Sequence, residues 1–199
     1  MPYPNVVTEA ILDAMREKAP EVARQPIELR ESKRRHWDER LLMRFPGVAY
    51  ALTRWVTRLS ATSPARRAIV RHVWRRVLEA ANRGDYEAAF AILPPDYEAH
   101  PPSDFAALGF GSIYRGREER LQVQRRWMEV LGEFQQEAKE LIDLGDRMLL
   151  LAWMRGTGVG SGAEFEGEWA YLITFRDGRI RREDVFRSHA EALEAAGLR

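Results

Sequence analysis

The sequence predicts an α+β fold in which helices come first and an antiparallel run of strands follows, the sheet curving around an apolar interior. Apolar residues recur at helical spacing between Val48 and Ala81. Beyond Gly132, stretches of strand length alternate between turn residues, and Asp177-Gly178 marks a tight hairpin.

The first expected helix spans Thr8 to Lys18 with Thr8 as its N-cap, followed by a polar connector holding Pro20 and Pro26 that is expected to be mobile or draped. After Phe45-Pro46-Gly47, Val48, Leu52, Trp55, Val56 and Leu59 form one stripe of an amphipathic helix. Ser60 to Pro64 breaks it. A longer helix carries Val70, Val73, Trp74, Val77, Leu78 and Ala81 opposite Arg67, Arg71 and Arg75, and Asn82-Arg83-Gly84 closes it. Asp85 caps a short helix through Leu93, stopped by Pro94-Pro95. Tyr97 to His100 begins the sheet, and 101–113 is a loop. Tyr114-Arg115-Gly116 leads into a helix with Val123, Trp127, Val130 and Leu131 on one face. The strands are Phe134 to Leu144, Arg147 to Gly156, Glu164 to Arg176 and Arg179 to Arg187, before a closing helix from Ala190 to Ala196. Residues 1–64 thus read as a helical extension and 65–199 as the α+β domain.

Composition narrows the class. Of 199 residues, 45% are hydrophobic and 31% charged, a globular balance. No run approaches the roughly 18 apolar residues of a membrane span. Acids in the first twenty residues argue against a secretory signal, and a cytoplasmic location is expected. With no cysteine, disulfides, thiol nucleophiles and thiolate metal sites are excluded. The net charge of +1 hides an asymmetry: 16 basic and 9 acidic residues up to Ala80 give +7, and 15 and 21 afterwards give −6. Arg40 to Leu78 holds nine arginines and no acid. That segment has three readings: nucleic-acid binding, docking on a membrane surface through arginines and Trp55, and packing over the sheet or the opening of the cone. No nucleic-acid module is recognisable, so packing is preferred and peripheral membrane contact comes second.

The strand Glu164 to Arg176 assigns its own faces. Odd positions carry Phe165, Gly167, Trp169, Tyr171, Ile173 and Phe175, while Glu164, Glu166 and Glu168 take the other side. Three glutamates cannot face an apolar interior unpaired, so the aromatic row looks inward. A buried Tyr171 hydroxyl needs a partner there. In Arg147 to Gly156 both alternations are apolar, implying a strand covered on both faces or at a dimer interface, with Arg155 deep and in need of an anionic partner. The last strand sets Arg181, Glu183, Val185 and Arg187 against Ile180, Arg182, Asp184 and Phe186, and either set brings charge inward.

Several stretches, in order from about 70 to 198, carry a family likeness: Asn82-Arg83-Gly84-Asp85 with Pro95-Asp96-Tyr97, Tyr114-Arg115-Gly116, Leu141 to Asp146, Ser161-Gly162, Phe175 to Ile180 and Glu191 to Leu198. Through them the chain resembles the SnoaL-like branch of the nuclear transport factor two-like superfamily, which also holds ketosteroid isomerase, limonene epoxide hydrolase and scytalone dehydratase. The resemblance implies a cystatin-like cone, its curved mixed or antiparallel sheet wrapped around helices, and a homodimer through the convex face. The isomerase's tyrosine, base and protonated-aspartate positions fall on Val77, His100 and Tyr171, so that constellation is missing. The epoxide hydrolase's arginine between two aspartates is approximated only by Arg155 with Asp143 or Asp184. The last-strand aspartate of SnoaL-type cyclases falls on Glu183 or Asp184.

The candidate chemistry is acid-base. His100, whose imidazole titrates near neutrality, is placed at the pocket mouth, oriented by Glu183 or Asp184, with Tyr171 stabilising an oxyanion. Tyr97, Trp127, Trp153, Arg155, Trp169, Ile173, Phe175 and Val185 are the candidate ligand contacts. The ligand is expected to be a small apolar molecule bearing a carbonyl or hydroxyl, turned over by a cyclase, isomerase or hydrolase or simply bound. His36, His72 and His189 show no ligand spacing with His100, so neither metal nor cofactor is expected. Gly156 to Gly162 lacks the Lys-Ser/Thr ending of a phosphate loop and reads as a connection between strands.

Overall fold

The computed structural model describes residues 23–30, 33–132 and 134–198. The helix expected over Thr8 to Lys18 lies outside them. Strand β1 (Ala23–Gln25) corrects the reading of the connector as draped chain: it pairs antiparallel with the far end of β4, Gln25 opposite Leu141. An open sheet edge offers unpaired backbone groups, and Pro26, which has no N–H, ends the pairing. Helix α1 (Trp37–Arg44) was not legible from apolar spacing. It starts where the His36 backbone N–H donates to Glu39 Oε2 at 2.7 Å. Helices α2 (Pro46–Val56) and α3 (Pro64–Asn82) both open on a proline, whose missing N–H costs nothing there. Helix α4 (Tyr86–Ala89), capped by Asp85, is shorter than expected.

Strand β2 (Glu98–His100), a 3-10 turn (Ser103–Leu108), strand β3 (Tyr114–Arg115) and helix α5 (Gly116–Leu131) follow. The long strands are β4 (Phe134–Asp143), β5 (Arg147–Thr157), β6 (Glu164–Arg176) and β7 (Arg179–Phe186), and α6 (His189–Ala195) closes the chain. The sheet order is β1-β4-β5-β6-β7-β2-β3. All pairs are antiparallel except β2 with β7, so the sheet is mixed. Register breaks at Ala138/Glu140 in β4 and opposite Thr174/Phe175 in β7. Such bulges bend a strand and raise its twist, which curves the sheet.

The concave face carries Met148, Leu150 and Met154 of β5 and Trp169, Tyr171 and Ile173 of β6, packed against Val70 and Leu78 of α3 and Val123 and Trp127 of α5. The convex face of the same strands carries Leu149, Leu151, Ala170 and Leu172, covered by Ala192, Leu193 and Ala196 of α6 and its end. The chain's own last helix therefore accounts for the two apolar faces of β5.

Two contacts hold α2 and α3 over the sheet. Arg66, buried at the start of α3, donates Nε and Nη2 to the two oxygens of Asp143, each at 2.7 Å, and further N–H groups to the carbonyls of Thr57, Leu59 and Gly145. One guanidinium thereby joins the α2–α3 connection to the β4–β5 turn. The β6–β7 turn meets α2 directly: Gly178 has φ +70°, and a Cβ on it would lie 2.5 Å from the Arg54 Cα. Only glycine permits that approach. Part of the charge asymmetry is answered across the halves. Arg76 pairs with Asp38 and Glu79 within the first half, while Arg24–Glu140, Arg35–Asp85, Arg66–Asp143 and Glu39–Arg83 bridge the two.

Candidate functional site

Between α2, α3 and the Ile173–Phe175 end of β6 lies a cavity of about 100 Å3. At roughly 10–15 Å3 for each water-sized occupant, it accommodates on the order of seven to ten heavy atoms. Leu52 and Val56 of α2, Ile69, Val73, Trp74 and Val77 of α3, Phe90, Leu93, Met148, Ile173, Phe175 and Ile180 supply apolar walls. Thr53 and Thr57 also reach it, but their hydroxyls donate back to the carbonyls of Ala49 and Thr53, each at 2.9 Å. Among the described residues lining it, Glu183 alone is ionisable.

The β7 bulge puts Glu183 there. Phe175 faces Ile180 and Thr174 faces Arg182, leaving Arg181 as the extra residue, so parity flips between Ile180 and Glu183. Both Ile180 and Glu183 are buried as a result, and neither simple alternation read from the sequence describes the strand. Behind Glu183 stands Arg120 of α5, its Nη2 3.5 Å from Glu183 Oε1 and its Nη1 donating to Gln124 Oε1 at 2.9 Å. The guanidinium lies over Phe90, 4.4 Å from the ring centroid, and is 5.4 Å from the Trp127 centroid. Burial works against this charge, but Glu183, Tyr97 and Tyr171 outweigh it and hold Arg120 above its ordinary value.

Tyr97 is fully buried, its hydroxyl beside Glu183 and Arg120 without a well-formed hydrogen bond to either. Burial, and then the Glu183 carboxylate, pushes its phenol well above the ordinary value. Tyr171 is raised for the same two reasons, and its hydroxyl donates to Gln136 Oε1 at 2.9 Å. Gln136 is held by paired backbone bonds with the Asn82 amide at the end of α3, both 2.8 Å. Both tyrosines therefore stay protonated, which removes them as bases.

The structure brings Tyr97, Tyr171, Glu183, Ile173, Phe175 and Val185 to the interior, Ile173, Phe175 and Glu183 at the cavity itself. Trp127 and Trp169 are also interior but pack edge to face at 6.1 Å, with Phe105 5.2 Å and 5.9 Å from them, closing that end of the cone. Four expectations are corrected. His100 lies on the outer side of β2, since Ala99 takes the inward position, and its Nε2 sits 3.4 Å from Glu98 Oε2. Asp184 is likewise outward, opposite His100 in register and lining the same surface pocket with it, and it accepts from Arg182 at 2.6 and 2.7 Å. Trp153 and Arg155 alternate with inward Met154 and face out, where Arg155 is exposed opposite Glu166. Arg120 and Gln136 were missed. Arg120 shares the apolar stripe of Val123 and Trp127 at i+3 and i+7, a charge on a core face that the sequence does display.

Among the described residues, no cluster of three or more His, Asp or Glu could hold a metal ion, and no helix is long and apolar enough to cross a membrane. Fold and site together define a pocket protein of the cone type, with a curved sheet closed by helices over a mostly apolar cavity that the Glu183 carboxylate lines. Residues 74–183, more than half of the chain, match the SnoaL-like domain, and the chain belongs to that family. An NTF2-like protein of unknown function from Burkholderia pseudomallei K96243 superposes with a TM-score of 0.54 at 24% identity, over 62% of this chain and 93% of its own. TerC, co-crystallised with polyporic acid, superposes at 0.53 and 20%, over 62% and 94%. A Catenulispora acidiphila DSM 44928 protein with a ketosteroid isomerase-like fold, in complex with trimethylamine, superposes at 0.50 and 18%, over 64% and 93%. No curated protein matches the chain.

Proposed function

We propose that this chain binds a small, mostly apolar molecule bearing a carbonyl or hydroxyl, and acts on it through the Glu183 carboxylate. The observation that carries the reading is Glu183 as the one ionisable group among the described residues of a mostly apolar cavity, backed by a buried arginine. A carboxylate held in low dielectric by a fixed counter-charge accepts a hydrogen bond from a ligand hydroxyl, or takes a proton from a carbon next to a carbonyl. In this reading Arg120 and Tyr97 hold Glu183 in place and do not touch the ligand. Two fold neighbours caught with small organic molecules support a pocket role.

A second reading, binding without turnover, is favoured by one feature of the walls. Thr53 and Thr57 give their hydroxyl protons to α2 carbonyls, so they bring no spare donor to a developing oxyanion. Cyclohexanone, small enough for the cavity and with exchangeable α-hydrogens, separates the two readings. An acid-base enzyme speeds loss of its α-proton NMR signal in D2O above the buffer rate, and Glu183→Gln abolishes that excess while retaining the ligand. A pure binder shows saturable shifts with no added exchange. Neither shifts nor exchange at millimolar ligand would overturn both.

A further inference from the structure

The outward faces of α1 and α2 form a second feature, separate from the cavity. On α1, Trp37, Arg40, Leu41 and Arg44 follow i, i+3, i+4, i+7 and are all exposed. The two acids of that helix turn inward, Asp38 to His72 and Arg76, and Glu39 to Arg83. On α2, Ala49, Leu52 and Val56 face the interior, while Val48, Arg54 and Trp55, and Arg58 in the turn after the helix, are exposed. The apolar exposure is large: 76% for Trp37, 53% for Phe45, 50% for Trp55 and 46% for Val48. Arg40, Arg54 and Arg58 have no ion-pair partner within 4.0 Å among the described residues.

We infer that this face docks on an anionic phospholipid surface. Cations with no acid between them from Arg40 to Arg58, alternating with indole and phenyl rings along two consecutive short helices, match the chemistry of a bilayer interface, where phosphates meet acyl chains; the acids nearest in space, Asp146 and Asp177, lie in the strand turns beside Arg54 and Arg58 at one end of the face. Every acid on α1 is turned inward, a sorting that complements negative headgroups. Nucleic acid would use the arginines but gains nothing from Leu41 and Val48, and a second copy of this chain would set arginine against arginine. The inner side of α2 is a cavity wall, so docking brings the bilayer within one helix diameter, about 10 Å, of the ligand space.

The test uses the full chain and sedimentable vesicles of phosphatidylcholine with 30 mol% phosphatidylglycerol. Binding is expected at 50 mM salt, with a blue shift of tryptophan emission, weakening at 500 mM salt and absent on pure phosphatidylcholine. Replacing Arg40, Arg44 and Arg58 by Gln should weaken binding about a hundredfold. The separate Trp37→Ser, Phe45→Ser, Trp55→Ser variant should abolish the blue shift at unchanged circular dichroism. No binding to the anionic vesicles, or binding indifferent to both variants, would overturn the inference. So would concentration-dependent dimerisation lost in the aromatic variant, or tighter binding to RNA than to vesicles.

Discussion

Removing Arg66 is the sharpest perturbation of this fold. Its guanidinium makes two bonds to Asp143 and three to backbone carbonyls, and both side chains are almost wholly shielded from water. Arg66→Ala leaves Asp143 in the interior with the Gly145 N–H as its remaining partner, at 3.0 Å. Breaking one side of a buried pair costs about 3–5 kcal/mol because the surviving charge stays desolvated. For a chain of this length that corresponds to a fall in Tm of roughly 6–20 °C. Urea denaturation followed by tryptophan fluorescence measures it, alongside Asp143→Ala and the apolar pair Arg66→Met with Asp143→Leu. The double variant should be more stable than either single one, since no unpaired charge remains. A single variant within about 1 kcal/mol of the parent, or a double variant losing the sum of both singles, would refute the reasoning.

Gly178→Ala should cost about 1–2 kcal/mol from its left-handed backbone alone, and the clash with Arg54 should loosen α2 and weaken cyclohexanone binding. Trp169→Ala should lose about 3–5 kcal/mol yet keep ligand shifts at the Ile173–Phe175 end, because its ring packs in the aromatic cluster; a stability-neutral change would contradict that packing. Asp85 is held below the usual carboxylate range by Arg35, against the opposing effect of burial, and by Arg83. Because its folded value is the lower one, its stabilisation is present above the unfolded value near pH 4 and fades as pH falls through the folded one. Stability should therefore drop below about pH 4, and Asp85→Asn should flatten that slope in acid melts.

Much of the fold was legible because period-two patterning in β6 is unambiguous: three glutamates on one parity leave the aromatic row only the interior. The hairpin at Asp177-Gly178 followed from turn chemistry. The SnoaL-like likeness, read from ordered short motifs, agrees with the family match over 74–183. The site was less legible for a physical reason. A bulge adds one residue without marking the alternation, so β7 appeared to offer Glu183 or Asp184 by parity, when it uses one parity on each side of Arg181. β2 is too short to show a period, and His100 followed Glu98 to the outside. β5 is apolar on both faces because α6 covers its convex side, which left the outward turn of Trp153 and Arg155 unmarked.

The most direct measurement concerns Glu183 itself. With glutamate carboxyl carbons labelled with 13C, titration with p-cresol, a small ring bearing one hydroxyl, should shift the Glu183 resonance saturably, and that shift should vanish in Ile173→Trp, which fills the cavity. A Glu183 carboxyl indifferent to p-cresol, or one whose response survives Ile173→Trp, would contradict the account.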